Sequence, residues 1–120
     1  MTNRNQKGWR AENEVRKILE KLGYLVWKPT RTKFSSIDIF GLFDMIAVHP
    51  SYRMLWVQVK HKSSMSKKVK KDFETFYNKY IHPSNLCELT IWVRERGGAF
   101  VIHSLSEGIW KEKRVRVQKK

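Results

Sequence analysis

The sequence is poor in cysteine and in long apolar runs. Its 120 residues contain one cysteine, Cys87, which excludes an internal disulfide framework. No apolar run is long enough to span a membrane, and the first ten residues, MTNRNQKGWR, lack the apolar region of a signal peptide. These absences predict a soluble, intracellular protein with no membrane partner.

Acidic residues are scarce as well. There are 11 Asp and Glu residues against 25 Lys and Arg, which gives a formal net charge of +14. A small domain with this excess repels itself unless an anionic partner neutralises it. Nucleic acid is the commonest such partner, and the alternatives are a ribosome-like structural protein or a basic thermophilic surface.

The length suits one domain over residues 1–120, and the 41% of hydrophobic residues is enough for one core. The stretch RAENEVRKILEKLGY repeats apolar residues in 4-3-1-3 steps and predicts a helix that stops at Gly23. A short strand, YLVW, follows. LFDMIAV and MLWVQVK then predict two antiparallel strands joined by the HPSY turn.

The second half of the chain predicts another helix and another hairpin. SKKVKKDFETFYNKY carries the same apolar stripe, with Ser66 as its N-cap. CELTIWVRE and AFVIHSL form a hairpin across RGG. The basic tail over 111–120 alternates apolar and basic residues, as an edge strand or an arm would. The fold class is therefore α/β, a mixed sheet flanked by helices in the order α-β-β-β-α-β-β. The five tryptophans are expected in the core.

Polar residues interrupt the central hairpin. Gln58 and Lys60 share one face of their strand by period two, and Asp44 is expected on the face of Ile46 in the preceding strand. All three fall at the same end of the hairpin. Oxygen ligands of this kind suit Mg²⁺. The plainer interpretation is an ion pair between Asp44 and Lys60, or solvent-facing strand ends.

Taken together, KGWRAENEVRKILEKLGYLVWK, FDMIAV and LWVQVK resemble the archaeal Holliday junction resolvases of the PD-(D/E)XK, or restriction-endonuclease-like, nuclease superfamily. The resemblance covers about the first 62 residues. It implies a restriction-endonuclease-like fold and Mg²⁺-dependent hydrolysis of DNA phosphodiester bonds, with Mn²⁺ as a substitute. It also implies a branched or double-stranded DNA substrate, roles in recombination and repair, and a homodimer that makes two symmetric cuts. We expect a cytoplasmic protein of a viral, archaeal or bacterial system.

The resemblance assigns the site residues. Its helix glutamate corresponds to Glu12, its metal-binding aspartate to Asp44, its second acidic position to Gln58 and its lysine to Lys60. The carbonyl of Val59 is a further metal ligand by the same comparison. Periodicity alone does not select the helix glutamate, because Glu12 and Glu14 flank the apolar stripe symmetrically, each roughly 80° from its centre.

Two features depart from the family pattern. Gln58 replaces a carboxylate and brings no negative charge, so metal affinity should fall. The loop before Asp44 is longer than in compact resolvases and carries Asp38, which either supplies the missing charge or forms a turn. The residues expected to contact DNA phosphates are Arg10, Lys28, Arg31, Lys33, Lys62, Lys67 and Lys68.

Three other functions stay open. A restriction or repair endonuclease would use the same scaffold and the same residues. A non-catalytic DNA-binding module would keep the fold and lose the metal, which is what Gln58 instead of an acid would fit. An RNA-associated basic protein would have no site at all.

Overall fold

The computed structural model describes residues 4–29, 38–62, 65–82 and 86–116, with the backbone alone for residues 4–9 and Arg96. None of the helices in these ranges is both long and apolar enough to cross a membrane. The elements are α1 (Arg4–Lys21), β1 (Leu25–Trp27), β2 (Met45–Val48), β3 (Met54–His61), α2 (Lys67–Phe76), β4 (Cys87–Arg94), β5 (Ala99–Ser106) and β6 (Ile109–Arg116).

The strands form one six-stranded sheet in the order β1-β2-β3-β4-β5-β6. Every neighbouring pair is antiparallel except β3 and β4, which are parallel. Parallel neighbours need a crossover connection, and α2 lies in the connection between these two strands. The predicted mixed α/β sheet with helices is confirmed, and so are both predicted hairpins.

The end of α1 shows why the first strand begins where it does. The Gly23 N–H donates to the Glu20 carbonyl and the Tyr24 N–H to the Leu19 carbonyl, each at 3.0 Å. This pair of bonds is a Schellman motif. It requires a left-handed residue, and Gly23 has φ of 98°. A Cβ on Gly23 would also lie 3.0 Å from the His49 Nε2 atom. The predicted helix stop is therefore correct.

The two helices cover opposite faces of the sheet. Val15 and Leu19 of α1 pack in one buried cluster with Val57 of β3. Phe73 of α2 packs in a second cluster with Ile91 of β4. The sheet thus has one apolar face under each helix, which explains why its central strands are hydrophobic almost throughout.

Three boundaries differ from the sequence expectations. The basic tail is not an arm over residues 111–116, because these residues form most of the edge strand β6 and add a strand to the predicted order; residues 117–120 lie outside the described ranges. Strand β2 begins at Met45 rather than Leu42. Ser66 occupies the N-cap position of α2, but its side chain makes no cap hydrogen bond. The helix then continues as a π-helical turn, Tyr77–Ile81.

Candidate functional site

The chain enters β2 through a β-bulge at Asp44 and Met45. Met45 pairs with Val57, and the Asp44 N–H also donates to the Val57 carbonyl at 2.7 Å. Two residues thus oppose one, which is the arrangement of a bulge. Phe43 accordingly lies in the cluster under α2 and Met45 in the cluster under α1, although strict alternation would put both on one face. Counting by twos therefore does not assign Asp44 to the face of Ile46.

The Asp44 carboxylate is held against β3. Its Oδ2 atom accepts a hydrogen bond from the Val59 N–H at 2.7 Å. A strand residue points its N–H and its C=O to the same side, as the exchange of two bonds in an antiparallel pair requires. The Val59 carbonyl is therefore directed to the same edge as Asp44. The bulge thus brings together two of the oxygen donors that the family resemblance assigns to a metal.

Gln58 and Lys60 lie on the face of β3 that is covered by α2. Leu55 and Val57 are buried in the cluster under α1, whereas Trp56 packs in the cluster under α2. Gln58 and Lys60 lie at even spacing from Trp56 and share its face. The Oε1 atom of Gln58 is buried and has no hydrogen-bond donor among the described residues. A buried carbonyl oxygen of this kind can accept a hydrogen bond or bind a cation.

Glu12 differs sharply from its neighbour Glu14. Glu12 is 6% exposed and is the one charged residue in the described ranges that is buried. Its Oε1 atom lies 3.4 Å from the Lys28 Nζ atom, and both side chains are largely buried. Glu14 instead pairs with Arg94, at 2.9 Å between Oε1 and Nε. The structure thus makes the distinction between the two glutamates that the helical periodicity could not make.

Lys28 also fixes where the Glu12 carboxylate sits. It directly follows β1, whose last residue, Trp27, pairs with Ile46 of β2. The buried ion pair therefore lies where β1 ends, beside the start of β2. Met45, the second residue of the bulge, packs in the cluster under α1 that also surrounds this part of the helix.

Asp38 faces the bulge across a tight turn. Ile39 and Phe43 form an isolated antiparallel bridge, with both backbone bonds between them, at 2.7 and 3.0 Å. Asp38 and Asp44 are the next residues outward from this bridge, so their backbones lie close together. Asp38 is exposed, and its carbonyl accepts a turn bond from the Gly41 N–H at 3.4 Å. The backbone of Asp38 therefore takes part in a turn before β2.

These residues fit a hard divalent cation by the chemistry of their donors. Asp44, Glu12, Gln58 and the Val59 carbonyl offer only oxygen, the ligand atom that Mg²⁺ prefers. Glu12 lies on the α1 side of the sheet, whereas Gln58 and Lys60 lie on the α2 side, so ligands from both faces would have to meet at the edge between β2 and β3. The buried Gln58 oxygen has no hydrogen-bond donor among the described residues, so it is available as a ligand. In the parts of the chain described here, no three His, Cys, Asp or Glu side chains gather as a ligand set. A site on this chain would therefore depend on amide and backbone oxygens as well as carboxylates.

The basic residues expected to contact DNA do not behave alike. Lys28 is committed to Glu12 and is mostly buried. The others in the described ranges are exposed: Arg10, Lys62, Lys67 and Lys68. Arg31 and Lys33 lie outside the described residues. Exposed cations can reach phosphates, so four of the seven expected contacts remain open on the described surface.

Sequence reasoning missed a group of exposed rings near this site. Of the tryptophans expected in the core, Trp92 is buried, whereas Trp27 is 58% exposed. Phe40 and Tyr80 are exposed as well, and both lie in the same surface recess. No periodic pattern marks Phe40, because it stands in a turn. The only available signal was the proximity of a phenylalanine to Asp44.

Comparison with known proteins gave no matching family description, no similar curated protein and no similar solved structure.

Proposed function

We propose that this chain is a Mg²⁺-dependent endonuclease that hydrolyses phosphodiester bonds in branched DNA, such as a four-way junction. The observation that carries the proposal is the anchoring of the Asp44 carboxylate on the Val59 N–H, at 2.7 Å. The preceding residue, Gln58, has a buried Oε1 atom without a hydrogen-bond donor among the described residues.

The proposed fold is restriction-endonuclease-like. Three observations support it: α1 precedes an antiparallel run β1-β2-β3, α2 forms the crossover, and β4 lies parallel to β3. The order of these elements is the one that the residue patterns predict. Strands β5 and β6 extend the sheet beyond β4, away from the candidate site.

In this proposal Asp44 and the Val59 carbonyl hold the cation at the edge between β2 and β3, with Gln58 reaching it from the α2 side of the sheet and Glu12 from the α1 side. Bound Mg²⁺ supplies water activation at neutral pH and neutralises charge on the phosphate. Lys60 lies about 7 Å along β3 from Gln58, at roughly 3.3 Å per residue, and on the same face. Its ammonium stabilises the negative charge that develops on the phosphate during hydrolysis. Cutting both strands of a symmetric junction needs two such sites, hence a homodimer.

A second candidate is a DNA-binding module without catalysis. The Glu12 carboxylate is already neutralised by Lys28 at 3.4 Å, and Gln58 brings no charge. A cation would then be held with less negative charge than a pair of free carboxylates offers. The net charge of +14 would still bind DNA through its phosphates.

A cleavage assay separates these candidates. Labelled junction, flap, duplex and single-stranded DNA are incubated with Mg²⁺ or Mn²⁺ and with native protein, Asp44→Asn or Lys60→Ala. Asp72→Asn and Lys21→Ala, which lie on α2 and at the end of α1, serve as matched controls. Metal-dependent nicking of the junction that is lost in both site variants and kept in both controls is the expected result. Binding without cutting in either metal would select the non-catalytic module. Preferential nicking of plain duplex would select a restriction or repair enzyme.

A further inference from the structure

Four aromatic side chains and one isoleucine line an open recess on the α2 side of the sheet. We call it the aromatic recess; its lining residues are Phe40, Trp56, Phe76, Tyr80 and Ile81. Its volume is about 570 Å³, within the range of roughly 300 to 1,000 Å³ that small-molecule sites occupy. Phe40 is 69% exposed and Tyr80 is 64% exposed, so the rim of the recess consists of rings that face solvent.

The backbone holds these rings in unusual ways. Phe40 has φ of 55°, in the left-handed region that a bulky residue rarely adopts. Glycine or asparagine would occupy this turn without strain, so the phenylalanine ring is present against the local preference. Tyr80 lies in the π-helical turn Tyr77–Ile81. Turns of this kind occur frequently at functional sites, as do strained non-glycine residues.

The rings form one connected cluster, with one stacked pair and two tilted pairs. The Phe40 and Trp56 rings are stacked, with centroids 5.8 Å apart and planes 25° apart. Phe76 lies 5.8 Å from Phe40 and 5.1 Å from Tyr80. Centroid separations of this size lie within the favourable range for aromatic pairs. A further flat ring could therefore add to the exposed side of Phe40 or Tyr80.

The aromatic recess is close to the candidate cleavage site. Trp56 precedes Gln58 by two residues on β3 and shares its face, so their backbones are about 7 Å apart at roughly 3.3 Å per residue. Phe40 lies in the turn closed by the Ile39–Phe43 bridge, and Asp44 directly follows that bridge. A ligand in the recess would therefore lie beside any phosphate held near Gln58 and Lys60.

Charge decides which occupant the recess fits. Exposed lysines stand on α2 and on its π-helical extension: Lys67, Lys68, Lys71 and Lys79. The Lys79 Nζ atom lies 5.4 Å from the centre of the Tyr80 ring. A second copy of this chain would bring its own net charge of +14 to this surface, and like charges in an interface oppose association. An anionic chain that carries flat rings could pair its charges with these lysines and place its rings against the aromatic side chains of the recess.

We propose that the aromatic recess binds an unpaired nucleobase of DNA by stacking on Phe40 and Tyr80, next to the phosphate at the candidate cleavage site. The inference rests on the proposed function in taking DNA as the ligand. It deepens that function by naming the substrate class. The chain would prefer DNA with an unpaired nucleotide beside the scissile bond to fully paired duplex, because a base inside a helix is not free to stack on protein rings.

Binding measurements without a metal test this proposal. Phe40→Gly removes the ring and keeps the left-handed backbone accessible; Tyr80→Ala removes the second ring. Tyr52→Ala is the matched control, since Tyr52 is 67% exposed on the β2–β3 loop and its ring packs on His49. The ligands are fluorescent oligothymidylate of about 12 nucleotides, a strand of the same length made of abasic nucleotides, and a duplex of that length. Anisotropy is read in EDTA.

Phe40→Gly and Tyr80→Ala are each expected to weaken oligothymidylate binding at least about fivefold, the lower end of what one stacked base contributes. Abasic and duplex DNA should bind native protein and both variants equally, and Tyr52→Ala should bind like native protein. Unchanged oligothymidylate binding in both variants would overturn the proposal. An equal loss in Tyr52→Ala, or an equal loss on abasic DNA, would overturn it too.

Two further readouts separate base stacking in the recess from a contact between copies of the chain and from the proposed cleavage activity. If sedimentation shows that the variants break a dimer while binding to oligothymidylate is unchanged, the recess is a contact between copies and the proposal fails. Cleavage in Mg²⁺ is measured on the same proteins. Cutting by native protein without base-dependent binding rejects the recess and leaves the endonuclease intact. Base-dependent binding without cutting in any metal upholds the recess and rejects the endonuclease.

Discussion

The hydrogen bond between Asp44 and Val59 should make Asp44 a structural as well as a functional residue. Its Oδ2 atom accepts from the Val59 N–H at 2.7 Å, in a partly buried position where β2 no longer supplies a strand partner. Asp44→Ala removes the acceptor and leaves the N–H without this partner, which costs about 2 kcal/mol. Asp44→Asn keeps a carbonyl oxygen but loses the charge, which costs about 1 kcal/mol or less.

Urea unfolding and thermal melts measure the two costs. For a chain of this size, about 1 kcal/mol corresponds to a shift in Tm of roughly 4 °C. We therefore expect Asp44→Ala to lower Tm by about 8 °C and Asp44→Asn by about 4 °C or less. Asp72→Ala, on α2, should change the free energy of unfolding by less than about 0.5 kcal/mol.

The comparison with cleavage separates the two roles of Asp44. Both variants should lose metal-dependent cutting, although Asp44→Asn keeps most of its stability. If Asp44→Ala is as stable as native protein, the hydrogen bond does not anchor the carboxylate. If Asp44→Asn cuts at the native rate, the charge of Asp44 has no part in hydrolysis.

Three further substitutions have predictable effects. Gln58→Glu should lower Tm without metal, because a carboxylate would replace a buried oxygen that no described residue donates to. Added Mn²⁺ should then raise Tm and cleavage more than in native protein, and the absence of such a rise would contradict the metal site. Lys28→Met should cost about 3 kcal/mol in urea unfolding by leaving the Glu12 carboxylate buried without its ammonium, and a Glu12→Gln, Lys28→Met double variant that recovers nothing would refute this. Burial, assisted by Lys70, lowers the pKa of His103 below its usual 6.5. The unfolded chain then binds the proton more tightly, so the free energy of unfolding falls as pH drops through about 6.5. His103→Asn should flatten that fall, and an unchanged fall would assign it to other groups.

The end of α1 and the two hairpins were predictable because short runs of residues specify them. Gly23 ended α1 because a Schellman motif needs a left-handed residue there. The HPSY and RGG turns set both hairpins. The tail was ambiguous, since alternation of apolar and basic residues describes an exposed edge strand and an arm equally well. Only its pairing with β5 resolves it.

The geometry at Asp44 could not be predicted by counting. Phe43 and Met45 face opposite sides of the sheet because a bulge intervenes, and no residue type in this stretch marks a bulge. The burial of Glu12 likewise depends on Lys28, which reaches it from the end of β1. Helical periodicity described Glu12 and Glu14 alike, since tertiary contacts alone distinguish them.

The aromatic recess shows the same limit. Phe76 and Tyr80 belong to the predicted apolar stripe of α2, but Phe40 reaches them from a turn far away in sequence. The left-handed backbone at Phe40 has no sequence signature, because phenylalanine disfavours it. A surface built from a turn, a strand and a helix end is therefore visible only in the folded chain.

The most direct measurement of the central claim is anomalous X-ray scattering from crystals grown with Mn²⁺. We predict one Mn²⁺ peak at the start of β2, within coordination distance of oxygen atoms of Asp44, Gln58 and Glu12. This peak should be absent from crystals of Asp44→Asn. Mn²⁺ bound only elsewhere, or a Glu12 carboxylate turned away from Asp44 with no ion between them, would contradict the metal-dependent hydrolysis proposed for this chain.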